Sequence, residues 1–160
     1  MNFIFAQIFA LLSSICLLAS FWQKKRKGIL TLQILDSSFD IIQYFLLSAH
    51  TGAIISCIGA TRAYAFKKTN KKYVLYFYLI LYFISSILTW NGLISIIPLL
   101  AALLYTIVVW DKKEKNIRFY SILVFLLWFT YDILVKAYVN GITDIILVIS
   151  NILAIKKLDK

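Results

Sequence analysis

The chain has 160 residues, 62% of them apolar and 16% aromatic, with 15% charged and a mean hydropathy of +0.86. Soluble domains are about half apolar and about a quarter charged, so a water-soluble globule, a disordered chain and a coiled coil are excluded. The net charge of +10 does not make an aqueous nucleic-acid binder, because it sits in short blocks between long apolar runs. What remains is an all-α integral membrane protein.

A spanning helix takes about 20 apolar residues, within a range of about 17–25. In chain order the apolar runs predict helices at residues 2–22, 29–47, 51–66, 73–89, 93–110, 117–138 and 141–155. The third and seventh are short, and short helices span where the bilayer thins or flanking lysines snorkel. Seven spans are expected; the alternative is six spans plus one re-entrant segment.

Fifteen of the 17 Lys and Arg residues fall in four blocks. These lie at 24–27, 67–72, 112–118 and 156–160, after the first, third, fifth and seventh helices. The turns at 48–50, 90–92 and 139–140 carry none. Basic loops stay in the cytoplasm, so the N-terminus is expected outside and the C-terminus inside. One miscounted helix in the middle would break the alternation. Trp22, Trp90 and Trp110 stand at span ends, where indoles favour the interface. The first run has no positive n-region and is followed by its basic block, which reads as an anchor rather than a signal peptide.

The chain also echoes itself. Trp22-Gln23-Lys24-Lys25 aligns with Trp110-Asp111-Lys112-Lys113, Gly52 with Gly141, Ala65 with Ala154, and Lys67-Lys68 with Lys156-Lys157. Helices one to three then map onto five to seven. Two directly fused copies of three spans would be antiparallel, and one extra helix restores a parallel relation. The expected plan is a single membrane domain, 1–160, of the 3+1+3 kind. Repeat one covers 2–68, a linker helix 73–89 and repeat two 93–157. Parallel repeats occur in transporters.

Ionisable residues inside a membrane are costly and normally face a bundle interior or a wet cavity. On the second helix Gln33, Asp36, Asp40 and Gln43 fall within about 80° of one another at 3.6 residues per turn. Asp40 stands roughly 16 Å from the basic end at 1.5 Å per residue, near the midplane. A carboxyl there is protonated or paired. Two readings stand for Arg62: it snorkels to the near surface, or it pairs with Asp36. Asp132 and Lys136 are spaced for an i, i+4 pair. Trp128 is the one tryptophan inside a span, lining a cavity or simply packing. Asn151 shares a face with Asp144 and is the expected repeat counterpart of Arg62. The candidate solute site is therefore Asp40, Gln43, Arg62, Trp128 and Asn151.

Two features bear on packing. Gly52, Ser56, Gly59, Ala60 and Ala63 form a small-residue strip that lets backbones approach. Pro98 is the only proline; inside the fifth helix it would make either a static kink or a hinge.

Catalytic signatures are missing from the sequence. His50 is the single histidine, Cys16 and Cys57 lie in separate spans, and no GxSxG, HExxH or P-loop is present. No catalytic residue, metal or cofactor is expected, and the chain is not read as an enzyme.

Several of these residues carry a resemblance. Ile42-Gln43-Tyr44-Phe45-Leu46-Leu47, Gly52, Ile58-Gly59-Ala60-Thr61-Arg62, Ile97-Pro98-Leu99-Leu100, and Trp128 through Asn151 with Gly141 look like the YgjV family of bacterial inner-membrane proteins. The sequence departs from that pattern at Gly59, where an Asn is expected, and at Asp132, where a neutral or imidazole side chain is expected. The resemblance implies a location in the bacterial inner membrane and supplies no activity. More distantly, the 3+1+3 plan is similar to the SWEET sugar facilitators and the PnuC vitamin transporters, without the SWEET proline tetrad. Two functions are open: a small-solute facilitator or secondary transporter, or a non-transporting subunit, assembly factor or sensor. The bilayer, a small solute and a second copy of the chain are the partners these readings bring in; nucleic acid is not.

Overall fold

The computed structural model describes residues 2–110 and 114–158. Lys112, Lys113 and Lys160 of the expected basic blocks lie outside the described residues. Seven helices are present among those described: α1 (Asn2–Phe21), α2 (Arg26–Leu46), α3 (His50–Lys68), α4 (Lys72–Leu88), α5 (Ile96–Trp110), α6 (Glu114–Leu134) and α7 (Tyr138–Leu158).

Each helix packs on its neighbour in sequence, α1 also packs on α7, and α3 on α5. These contacts close a ring of six helices, with α4 laid across the α3–α5 seam. The ring is apolar outside and polar within. Ile4, Leu88, Leu93 and Ile142 are well exposed, while Gln33, Asp36, Arg62, Asp132 and Asn151 are buried. Inverted polarity of this kind suits a surrounding of lipid, where every buried polar group must find its partner inside the bundle.

Among the described residues, four segments are long and apolar enough to cross a membrane: Phe3–Phe21, Gly92–Trp110, Lys115–Leu134 and Tyr138–Lys157. The Lys72–Leu88 helix is apolar but shorter. Helices α2 and α3 fall below that apolarity because they carry the polar stripe and the small-residue strip.

Several boundaries shift from the sequence expectation, and two shifts change a reading. The sixth helix stops at Leu134 rather than running to 138, and Gly141 lies inside the first turn of α7. Lys136 takes a left-handed φ of 64°, and the Ala137 amide donates back to the Asp132 carbonyl at 2.8 Å. Ser48 does the same between α2 and α3, with φ 57° and a bond of 2.9 Å from the Ala49 amide to the Tyr44 carbonyl. Left-handed caps usually use Gly or Asn, so a Lys and a Ser in that role leave no turn signal.

The second difference is at Pro98. Residues 92–95 form a turn in which Gly92 needs its φ of 76°. Helix α5 therefore begins at Ile96, and Pro98 is its third residue. The first four amides of a helix have no intrahelical acceptor, so proline there removes no bond and makes no kink. The kink or hinge expected at Pro98 is replaced by a helix start.

Candidate functional site

A cavity of about 110 Å³ lies at the centre of the ring, with all seven helices contributing to its wall. The cavity carries polar groups on a largely apolar wall and is roomy enough to hold several waters.

Helix α2 supplies Gln33, Asp36, Ser37, Asp40 and Tyr44 from its single stripe. Helix α1 answers with Ser13, whose hydroxyl lies 2.6 Å from Oδ1 of Asp36 and 2.6 Å from Oδ1 of Asp40. A serine hydroxyl has one hydrogen. It serves one carboxyl at a time, so Ser13 bridges Asp36 and Asp40.

The network continues across the ring. Asn140 Nδ2 on α7 donates to Gln43 Oε1 at 2.9 Å and reaches Asp40 Oδ1 at 3.4 Å. Tyr44 donates to Asp132 Oδ1 at 2.6 Å and stacks on Trp128 with ring centres 6.0 Å apart. Asp144 lies against Asp132. Ser14 donates to Thr143 at 2.8 Å, tying α1 to α7.

At the lysine-rich end of the cavity Arg62 is buried, with 5% exposure. Its Nη1 donates to Thr106 Oγ1 at 2.9 Å, and its guanidinium lies 5.0 Å from the centre of the Tyr105 ring. Gln33 Nε2 donates to the Tyr105 hydroxyl. Both partners of Arg62 come from α5, on consecutive residues that face α3.

Two pairings expected from the sequence are corrected accordingly. Arg62 neither snorkels nor bonds Asp36: Asp36 is taken by Ser13, and Arg62 by Thr106 and Tyr105. The Asp132–Lys136 pair does not form. Helix α6 ends before Lys136, whose left-handed φ sends it into the exposed turn, and Asp132 is satisfied by Tyr44.

Of the expected solute site, Asp40, Arg62 and Trp128 meet at one cavity. Gln43 and Asn151, both fully buried, are not part of its wall; Gln43 joins it through Asn140. Ser13, Tyr105, Asn140 and Thr143 also belong to the network or its wall, and nothing in the sequence points to them. Single hydroxyls and amides in apolar runs give no periodic signal. Asp144 shows in the sequence only through its shared face with Asn151.

The wall has a regular interval. Tyr44 and Asp132 stand 88 residues apart, and the same interval separates Asp40 from Trp128 and Ser56 from Asp144, all on the wall. Each of these pairs contains one carboxyl.

An all-helical bundle with an apolar exterior and buried polar groups at its centre defines an integral membrane protein. Over residues 4–160 the chain matches the Imp-YgjV family, described as bacterial inner membrane protein, and it belongs to that family. No curated protein and no solved structure matches it.

Proposed function

We propose that the chain is a secondary transporter or facilitator of a small polar solute, built as a 3+1+3 parallel repeat with seven spans. The observation that carries this reading is the central cavity lined by side chains of all seven helices, Asp36, Asp40, Arg62, Asp132 and Asp144 among them. A subunit or assembly factor that used its polar groups only to lock helices together would have a packed centre. Sites at the midplane between two repeats are typical of transporters.

Three geometric relations support the repeat. The α3–α5 and α7–α1 contacts are equivalent under the mapping of α1–α3 onto α5–α7. The caps at Ser48 and Lys136 stand at the interval of the cavity wall. At the basic end Arg26 donates to the Val109 carbonyl at 3.2 Å, and Arg118 to the Phe21 carbonyl at 3.3 Å. Each arginine thus ties the start of the second helix of one half to the end of the first helix of the other. In this register Arg62 matches Ser150, not Asn151.

The basic ends of α1, α3 and α7 share one end of the bundle: the 24–27 and 67–70 segments line one groove, and Lys157 lies over the Trp22 ring. The positive-inside rule puts that end in the cytoplasm and the N-terminus outside.

A stability screen in detergent across sugars, vitamins, nucleosides and amino acids, followed by uptake of the hit into liposomes, tests the function. Asp40→Asn is expected to abolish uptake in a protein that remains folded, because the site loses a carboxyl at the midplane. Unchanged uptake with unchanged stability would remove Asp40 from the site. A panel with no stabilising solute and no uptake would contradict transport.

A further inference from the structure

Four polar atoms on the cavity wall have no hydrogen-bond partner among the described residues: Gln33 Oε1, Arg62 Nε, Asn140 Oδ1 and Asp144 Oδ2. Their residues are 3%, 5%, 8% and 5% exposed. Buried polar groups in native structures are almost always satisfied, so these atoms mark what the cavity takes up. Water can serve the two amide oxygens, of Gln33 and Asn140. It does not neutralise Arg62, whose partners, the Thr106 hydroxyl and the Tyr105 ring, carry no charge. A buried cation calls for an anion.

The opposite demand arises at the other end of the cavity. There Asp144 offers a free carboxyl oxygen beside Asp132, with Asp40 and Trp128 on the same wall. Carboxyls and an indole face together receive an ammonium group. The two demands are well separated. Arg62 lies six residues from the basic end of α3 and Asp144 fourteen from that of α7. The difference of eight residues is about 12 Å of helix rise, of which the long arginine side chain spans a part.

Resting on the transporter reading, we propose that the cavity binds a small zwitterion of the ω-amino acid class, its carboxylate on Arg62 and its ammonium on Asp144 and Asp40. An α-amino acid carries both charges on one carbon and cannot reach both ends. A simple amine leaves Arg62 without an anion, and a simple carboxylate leaves the aspartates without a donor.

The test is binding to the purified full-length protein in detergent, read as thermal stabilisation and by calorimetry. The probe is 4-aminobutyrate, with butyrate, butylamine and glycine as matched controls. Losing one charged contact weakens binding about tenfold or more, so each control is expected to bind at least about tenfold more weakly than 4-aminobutyrate. Asp144→Asn is expected to erase the preference for 4-aminobutyrate over butyrate while butyrate still binds, which shows the variant is folded. Arg62→Lys, which keeps the charge, retains the preference for 4-aminobutyrate over butylamine. Butylamine, butyrate or glycine binding as tightly as 4-aminobutyrate would overturn the proposal, as would no binding of 4-aminobutyrate. If 4-aminobutyrate fails to bind while another solute is carried, the ligand class falls and transport stands. If it binds and is not carried, the ligand class stands and transport falls.

Discussion

Gly52 and Gly59 lie on the same helix and make opposite demands. A Cβ at Gly52 would meet the Tyr131 hydroxyl at 2.9 Å and the Tyr44 ring at 3.1 Å, and the Gly52 amide donates to that hydroxyl at 3.0 Å. A Cβ at Gly59 would meet nothing nearer than Ser37 Oγ at 3.5 Å. Gly52→Ala is therefore expected to destabilise by about 1–3 kcal/mol through overpacking. Gly59→Ala is expected to stabilise by roughly 0.5–1 kcal/mol, the helix-interior advantage of alanine. Unfolding in mixed micelles checks both signs; a stabilised Gly52→Ala would refute the close approach. A second prediction belongs to the Tyr44–Asp132 bond. A double-mutant cycle with Tyr44→Phe and Asp132→Asn is expected to give a coupling of about 1–3 kcal/mol, and additive effects would contradict it. The residues of the site are partly legible in the sequence. A stripe of Gln33, Asp36 and Asp40 at helical spacing stands out against apolar neighbours. The partners of Arg62 do not, because Thr106 and Tyr105 sit in an apolar run far along the chain, and a buried cation held by neutral groups follows no charge-pairing rule.

At the scale of elements, the helix ends hold the halves together. Arg26 spans from the start of α2 to the Phe66 and Val109 carbonyls and to Asn70, and Arg118 from α6 to the Phe21 and Gln23 carbonyls. The last carbonyls of a helix lack intrahelical donors, so these guanidinium groups satisfy acceptors that would otherwise be bare. Replacing either by Gln is expected to cost about 1.5–3 kcal/mol, the range for a charged hydrogen bond. The loss is expected to be larger for Arg118, which is 2% exposed, than for the half-buried Arg26. Equal and negligible losses in an unfolding assay would mean that the carbonyls are served by solvent. Helix number follows from apolar length and basic spacing. The α6–α7 boundary does not, because Lys136 rather than Gly or Asn takes the left-handed position. Pro98 misleads for a related reason: the turn at 92–95 is apolar apart from its serine and reads as span.

For the whole molecule, the positive-inside orientation makes a simple prediction. A cysteine replacing Lys136 in the exposed α6–α7 turn is expected to react with a membrane-impermeant thiol reagent in intact cells, and one replacing Asn70 is expected to be protected. The reverse pattern would invert the topology. The proposed transport function requires more, namely that the cavity be reached in turn from each side of the membrane. Ser56 lies on its wall and is 6% exposed, so it is shielded by the bundle. With Cys16 and Cys57 replaced, a single Ser56→Cys is expected to react with a small charged methanethiosulfonate reagent in both right-side-out and inside-out vesicles. Reaction from neither side, or from one side only, would contradict alternating access and leave the cavity a feature of a static bundle.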